Sequence, residues 1–307
     1  MKSLIKELLE GKAFKNAQGN LMPEDSAKWK SSKSKTWLAK QKGASPLKDR
    51  SLGGPILDLS RLGLKTLKKI NFPDTKYTKV LLSDNLLTNL KNCPPGFEHD
   101  FSFNTLRSLE GCPKEIHRID LGENPELASL EGLPDHIDGA LMAQRCRLST
   151  LKGGPSTVAG AYSVYDNQLT SLEGAPKTIG IDYSGDFDVS RNPLTSLNGA
   201  PDEVQGGVYC TSTNVTSLEG IGQKFLRSIY GELIIDAGQI KSHALGLLLV
   251  KGLRKILCAN EAKIAWLGIV NKWLAKAHND DFHSAKDHLI DCQHELIDAG
   301  FDDLAKL

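Results

Sequence analysis

The sequence predicts an α/β solenoid, a fold in which short coils of chain stack on one another. Three observations predict it. An eight-residue motif recurs about every 21 residues, apolar residues alternate just upstream of each copy, and an asparagine stands two residues before many of the copies. Because one coil cannot bury its own apolar edge, the core has to come from the stacking of neighbouring coils.

The repeated motif is clearest from Leu169 to Pro176, which reads LTSLEGAP. We call the first apolar residue of each copy the anchor of its coil. The anchors are Leu64, Leu87, Leu106, Leu127, Leu148, Leu169, Leu194 and Val215. Successive anchors lie 19 to 25 residues apart, a period that is typical of leucine-rich repeats and too short for helical repeats. We therefore expect a leucine-rich-repeat solenoid of about eight coils.

Apolar residues stand seven and five positions before the anchor, and this alternation predicts a short strand with one face inward. The pairs are Val80 and Leu82, Leu141 and Ala143, Tyr162 and Val164, Phe187 and Val189, and Val208 and Cys210. Two positions before the anchor stand Asn85, Asn104, Asn167 and Asn192, with Cys146 at the same place in its coil. An inward amide can satisfy backbone groups that a buried turn leaves unpaired. We expect these strands to form a parallel sheet on the concave side.

The returning half of each coil is predicted to be short and non-helical. Gly174 and Pro176 interrupt it, and both residue types disfavour a helix on the convex side. Ten positions after the anchor an apolar residue is expected to pack inward. These residues are Ile116, Ile137, Val158, Ile179 and Val204.

The two ends of the chain differ from the coils, so the sequence divides into three segments. Residues 1–50 form a basic N-terminal leader or cap, with 12 Lys and Arg side chains against 5 Asp and Glu. Residues 51–240 form the solenoid, and residues 241–307 form a helical C-terminal cap. Within that cap, apolar periodicity predicts helices over 244–257 and 262–277.

The sequence contains no P-loop, no G-x-S-x-G, no G-x-G-x-x-G and no H-E-x-x-H motif. The best metal candidate is His288, Cys292 and Glu295, spaced at helical intervals. Zinc sites need three or four well-placed ligands, and a helix packed through Cys292 explains the same spacing. We therefore expect no catalytic residues, no cofactor and no metal.

Outward strand positions on the concave face combine aromatic, acidic and arginine side chains, with two arginines near Tyr165. The candidate partner-binding residues are Asp100, Phe103, Asp120, Met142, Arg145, Tyr165, Asp188, Arg191 and Tyr209. Aromatic and arginine residues are enriched at interface hot spots. Two interpretations stay open, because scattered large side chains also occur on solvated sheet faces.

The LTSLEGAP coils resemble those of leucine-rich-repeat proteins encoded by tailed bacteriophages. The ending from His283 to Leu307, with DCQHELIDAGFDDLAKL, is similar to the C-terminal ending that those proteins often carry. The resemblance covers about residues 52–307. It implies the solenoid architecture and a host or phage partner, and it carries no catalytic residues.

The first ten residues, MKSLIKELLE, resemble the N-terminal targeting peptides of internal head proteins in large tailed phages. In those proteins the prohead protease cuts after Leu or Ile, any residue, then Glu, and Leu8-Leu9-Glu10 fits that pattern. The same leader interleaves lysines with Trp29 and Trp37, residue types that contact phosphates and bases. Nucleic-acid contact through the leader is therefore a further, less favoured hypothesis.

We expect a monomeric, non-enzymatic scaffold that binds a host or phage protein on its concave face and could thereby inhibit a host enzyme or defence factor. The alternative is an internal head protein packaged in the virion and cut after Glu10, and an enzyme acting through the helical cap ranks third. Four of the six cysteines fall on packing positions, which suits a reducing compartment. The expected location is the host bacterial cytoplasm, or the virion under the alternative. The longest apolar run, Ala244 to Val250, is too short to span a membrane.

Overall fold

The computed structural model of the chain describes residues 13–15, 21–23, 56–72, 76–181, 185–221, 228–259, 264–279 and 285–307. The chain packs as two compact units. The first comprises residues 1–127 and 132–134, and the second comprises residues 128–131 and 135–307. The predicted cleavage site after Glu10, and Trp29 and Trp37 of the basic leader, lie outside the described residues.

The described residues of the first unit contain four parallel strands and one antiparallel pair. The antiparallel pair is β1 (Ala13–Lys15) and β2 (Leu21–Pro23). The parallel strands follow in chain order as β3 (Ile56–Asp58), β4 (Tyr77–Leu81), β5 (Gly96–Asp100) and β6 (Arg118–Asp120). Each strand pairs with the next one along the chain, which is the topology of a parallel-strand β-solenoid.

The second unit carries two parallel sheets, one on each side of its coils. The first sheet contains β8 (Leu141–Met142), β10 (Tyr162–Ser163), β12 (Phe187–Asp188), β14 (Val208–Cys210), β16 (Glu232–Ile235) and β17 (Lys255–Cys258). The second sheet contains β7 (His136–Ile137), β9 (Thr157–Val158), β11 (Thr178–Ile179), β13 (Glu203–Val204) and β15 (Ser228–Ile229). Both sheets follow chain order, so this unit is also a parallel-strand β-solenoid.

Anchor residues fill the core as predicted. Every anchor from Leu64 to Val215 is buried, and six of the eight have no exposed surface. The strand residues seven and five before them are buried as well, including Tyr162, Phe187 and Val189. The inferred register of the coils is therefore confirmed.

The asparagine ladder is also confirmed, and its hydrogen bonds join consecutive coils. Asn85 Oδ1 accepts the N–H of Leu64 at 2.9 Å, and Asn85 Nδ2 donates to the carbonyls of Leu59 and Leu82, each at 2.9 Å. Asn104, Asn167 and Asn192 repeat the pattern. Each side chain thus satisfies buried backbone groups in two coils at once, which lets the turn lie inside the core.

Asn124 performs the same function in a coil that the sequence pattern did not align correctly. It is fully buried, its Oδ1 accepts the Leu106 N–H at 3.1 Å, and its Nδ2 donates to the Phe101 carbonyl at 3.0 Å. That coil is one residue longer, which places Asn124 three positions before Leu127 instead of two.

In the coils anchored from Leu64 to Val215, the described residues of the returning half are non-helical, as predicted. In the second unit it forms the two-residue strands of the second sheet. Ile137, Val158, Ile179 and Val204, ten after their anchors, have no exposed surface there. Ile116 is buried in the first unit.

The predicted helix over 244–257 is wrong. A 3₁₀ helix covers only Ala244–Leu249, and strand β17 follows at Lys255–Cys258. Between them Gly252 adopts a φ of +76°, a left-handed conformation that ends the helical path. Ile256 and Cys258 then align with Leu233 and Ile235 of β16, so backbone pairing with the sheet overrides the apolar periodicity.

Two α-helices close the described part of the chain, α1 (Ala265–Asn279) and α2 (Ala285–Asp298). The first covers much of the helix predicted over 262–277. A Schellman motif follows the second helix: Gly300 has a φ of +81°, and the Phe301 N–H donates to the Leu296 carbonyl at 2.8 Å. Within the described residues neither helix has the length and apolarity needed to cross a membrane.

Candidate binding face

The candidate site is one face of the second unit. We call it the strand face: the solvent-facing side chains of β8, β10, β12, β14 and β16 and of the residues that directly precede or follow these strands. Two positions in each coil supply most of it, six and three residues before the anchor. Six of the nine predicted site residues belong to it: Met142, Arg145, Tyr165, Asp188, Arg191 and Tyr209. The other three, Asp100, Phe103 and Asp120, belong to the first unit.

Residues at the turn after each strand adopt a left-handed backbone conformation that the sequence did not predict. They share φ values from 52° to 59°, and none is glycine. They are Arg61, Asp84, Phe103, Glu123, Arg145, Asp166, Arg191 and Ser212. Such a backbone costs an L-residue about 1–2 kcal/mol, so the repeated coil geometry has to impose it. Three predicted site residues, Phe103, Arg145 and Arg191, are presented in this way.

Two arginines stack on a single tyrosine at the centre of the strand face. The guanidinium carbon of Arg145 lies 5.8 Å from the centroid of the Tyr165 ring, and that of Arg191 lies 5.4 Å from it. Both distances are within the range of cation–π attraction. The three coils that carry these residues are consecutive, so the stacking of coils brings together side chains that are 20 and 26 residues apart in the chain.

The two arginines differ in their ion pairing. Arg145 Nε lies 3.6 Å from Asp166 Oδ2, whereas no carboxylate in the described part of the chain lies within ion-pair distance of Arg191. Arg191 is exposed, and the Tyr165 ring holds its guanidinium from one side. Its fork of donors is therefore available to an external acceptor.

A second cluster on the strand face is acidic and surrounds Tyr209. The carboxylates of Asp186, Asp188 and Glu232 raise the pKa of the Tyr209 phenol, Asp186 most, with partial burial adding to the effect. Asp186 Oδ1 accepts the Gly207 N–H at 2.7 Å, which orients it. Tyr209 is 37% exposed, so this cluster joins a phenol with negative charge at the surface.

Three aspartates among the predicted partner-binding residues also stabilise the backbone. Asp188 Oδ1 accepts the Ser190 N–H at 2.9 Å, and in the first unit Asp100 and Asp120 bind the N–H groups of Ser102 and Gly122 at 3.0 and 2.9 Å. These bonds shape the turn that follows the strand. Burial raises the pKa of Asp120, and its register neighbour Asp100 adds to the rise.

The remaining predicted residues contribute less. Phe103, in the first unit, is 58% exposed, and Met142 is half-buried opposite Ser163. The prediction omitted Asp166, Asp186 and Glu232, although the same register rule identifies Asp166 as outward. Asp186 directly precedes β12, two positions before the predicted Asp188, and Glu232 begins β16, a strand in which the prediction named no outward residue.

Glu295, of the metal candidate His288, Cys292 and Glu295, is engaged by other side chains. Glu295 Oε2 accepts the Trp273 Nε1–H at 2.7 Å and also binds Lys272 Nζ. Cys292 has no exposed surface, and burial raises its pKa to about 12. In the described ranges no group of three or more His, Cys, Asp or Glu side chains is placed to hold a metal ion.

Comparisons with protein-family models, with curated proteins and with solved structures found no match to the chain.

Proposed function

We propose that this protein is a non-enzymatic scaffold that binds another protein through the strand face of its second unit. The observation that carries the proposal is the stack of Arg145 and Arg191 on Tyr165. Tyrosine and arginine are among the residue types enriched at interface hot spots. Here three such residues form one pre-ordered cluster on a regular sheet, so little conformational freedom has to be lost on binding.

The left-handed turns support the same proposal. They place charged or hydroxyl side chains at positions where glycine or asparagine would be less strained. Arg145, Asp166, Arg191 and Ser212 occupy this row in the second unit. The same conformation recurs at turns of the first unit, so it belongs to the repeat, and in the second unit it holds these four side chains in one row of the strand face.

Buried cysteines argue for packing roles instead of nucleophilic chemistry. Burial raises the pKa of Cys112 and Cys210 to about 12, which keeps both thiols protonated near neutral pH. Since the thiolate is the reactive form, these residues serve the core. Neither Cys112 nor Cys210 therefore favours a cysteine-dependent activity over a binding function.

We infer that the coils are leucine-rich repeats. Buried anchors, alternating strand residues and the asparagine ladder together match the L-x-L-x-x-(N/C)-x-L signature. Under the resemblance to tailed-phage repeat proteins, the partner is a host or phage protein. Its capture could inhibit a host enzyme or defence factor.

Affinity capture with matched variants tests the proposal. Wild-type protein, the double variant Tyr165→Ala/Arg191→Ala and the control Lys177→Ala are immobilised and exposed to extract of the host cell. Lys177 is exposed beside β11, in the second sheet, so its loss removes a positive charge away from the strand face. A protein retained by the wild type and the control but lost with the double variant is the expected result.

Identical retention by all three proteins contradicts the proposal, provided that the double variant keeps the wild-type unfolding midpoint. That midpoint is expected to hold, because both substituted side chains are at least partly exposed and surface substitutions usually change stability by about 0.5 kcal/mol or less.

A further inference from the structure

The strand face has a positively charged region and a separate negatively charged region. The positive region is the guanidinium of Arg191, which lies over the Tyr165 ring at the turn after β12. The negative region lies next to Tyr209. Asp186, just before β12, accepts the Gly207 N–H at 2.7 Å, and Glu232 begins β16, the strand that pairs with β14 on its other side. Asp188 and Tyr209 are register partners on adjacent strands, so the acidic cluster spans β12 and β14 and extends to β16.

The distance between the positive and the negative region along the coil determines how far apart the matching charges of a partner must lie. Asp188 and Arg191 are three residues apart in the same coil. Extended chain advances about 3.3 Å per residue, so this distance is at most roughly 10 Å. An extended segment lying along the strands covers the same distance in about three residues.

We propose that the strand face recognises a protein segment that carries an acidic side chain and a basic side chain two to four residues apart. This inference rests on the proposed function and specifies the partner's chemistry. The segment's carboxylate binds the Arg191 guanidinium, whose planar fork matches a carboxylate. Its lysine or arginine binds among Asp186, Asp188 and Glu232, where the Tyr209 ring offers a face for the cation.

The arrangement of charges selects a protein segment over a nucleic acid. A nucleic-acid strand presents a negative charge at every phosphate and requires a continuous basic track. On this face, Asp166 lies beside Arg145, Asp188 and Glu232 lie on the two strands that flank Tyr209, and Asp186 binds the Gly207 N–H. These groups repel a polyphosphate backbone, whereas a segment with both signs of charge complements them.

Selection from a random nonapeptide display library, using the immobilised full-length protein, tests the inference. The expected result is enrichment of sequences with Asp or Glu two to four residues from Lys or Arg. The dissociation constant of a selected peptide, measured by fluorescence anisotropy, should rise about tenfold with Arg191→Ala. This is the size of effect that truncating an interface hot-spot residue has. The dissociation constant should rise similarly with the double variant Asp186→Asn/Asp188→Asn.

Two further variants make the readout specific. Arg191→Lys keeps the charge and loses the planar fork, so it should fall between the wild type and Arg191→Ala. Lys177→Ala should bind like the wild type. The affinity should also decrease as salt is raised, because these groups are exposed.

Each other outcome has a defined meaning. Enriched peptides that depend on Tyr165 but lack the paired charges overturn this inference and leave the proposed function standing. Enriched peptides that are insensitive to every strand-face substitution overturn the proposed function as well. An absence of enrichment, or Arg191-dependent binding of a labelled 20-nucleotide single-stranded DNA at comparable affinity, overturns the inference.

Discussion

Asn271 of helix α1 hydrogen-bonds both backbone groups of Ile256 in the last strand of the sheet. Its Oδ1 accepts the Ile256 N–H at 2.9 Å, and its Nδ2 donates to the Ile256 carbonyl at 2.9 Å. Strand β17 has β16 as its only neighbour in the sheet among the described strands. The amide therefore occupies backbone groups that would otherwise be open to another strand.

Replacing Asn271 with leucine should destabilise the protein and promote self-association. The substitution leaves the Ile256 N–H and carbonyl without their partner, and each buried group left unpaired costs about 1–3 kcal/mol. Urea unfolding should show the loss of stability, and sedimentation velocity should show a concentration-dependent increase in size.

Asp291→Ala, an exposed change on helix α2, is the control and should behave like the wild type. A variant Asn271→Leu that remains as stable and as monodisperse as this control contradicts the capping role of the amide.

Asn167→Leu should be strongly destabilising, because the side chain bridges two coils. Its Oδ1 accepts the Leu148 N–H at 3.0 Å, and its Nδ2 donates to the carbonyls of Ala143 and Val164 at 2.8 and 2.9 Å. The loss should be about 1–3 kcal/mol for each buried group left unpaired. The midpoint of urea unfolding measures it.

Its neighbour Gln168 is exposed and provides a matched control. Gln168→Ala should change the free energy of unfolding by no more than about 0.5 kcal/mol. If the two variants unfold at the same urea concentration, the ladder does not stabilise the coils.

Tyr162→Phe should leave the protein at least as stable as the wild type. The Tyr162 ring is 1% exposed and lies parallel to Phe187 at 5.8 Å, and within the described structure its hydroxyl has no hydrogen-bond partner. Removing an unpaired buried hydroxyl should increase stability by about 1 kcal/mol. Tyr162→Leu, which also loses the aromatic contact, should be destabilising. A loss of stability in Tyr162→Phe would show that the hydroxyl is hydrogen-bonded.

His99 should make the first unit sensitive to acid. The residue is 2% exposed, at a position where neighbouring coils carry Leu57, Val80 and Ile119. Its Nε2 lies 3.3 Å from the Pro94 carbonyl, which can only accept, so Nε2 carries the hydrogen. Its Nδ1 is buried and has no partner among the described atoms. Burial lowers the pKa of His99, and the hydrogen bond to Pro94 offsets this only in part.

The sign of the pH dependence follows from that direction. The unfolded chain takes up a proton near pH 6.5 while folded His99 resists it, so stability is fully present above about pH 6.5 and decreases as the pH falls below it. Urea unfolding at pH 7.5 and 5.5 should show a larger loss for the wild type than for His99→Leu. Equal losses in the two proteins would mean that His99 is not responsible.

The amino-acid sequence by itself determined the coil. Anchor spacing, strand alternation and the asparagine position depend on residues within one repeat, and repetition averages out local ambiguity, so the core from Leu64 to Val215 could be assigned. The sequence pattern did not identify Asn124 as a member of the asparagine ladder, because one additional residue places it three positions before Leu127 instead of two. The outward positions followed from the same register, and they identified Arg145, Tyr165 and Arg191 as neighbours.

Tertiary structure decided what those positions do. Whether a carboxylate pairs with Arg145 or with Arg191 depends on side-chain geometry between coils, which spacing alone does not encode. The left-handed turns arise because successive coils have to stack, and residue preference would not have selected them. At residues 255–258, hydrogen bonds to β16 outweigh helical periodicity, since the edge of β16 presents unpaired N–H and C=O groups that the added strand satisfies. Asn271 then covers the outer edge of β17, and only the packing of α1 on the sheet brings it to Ile256.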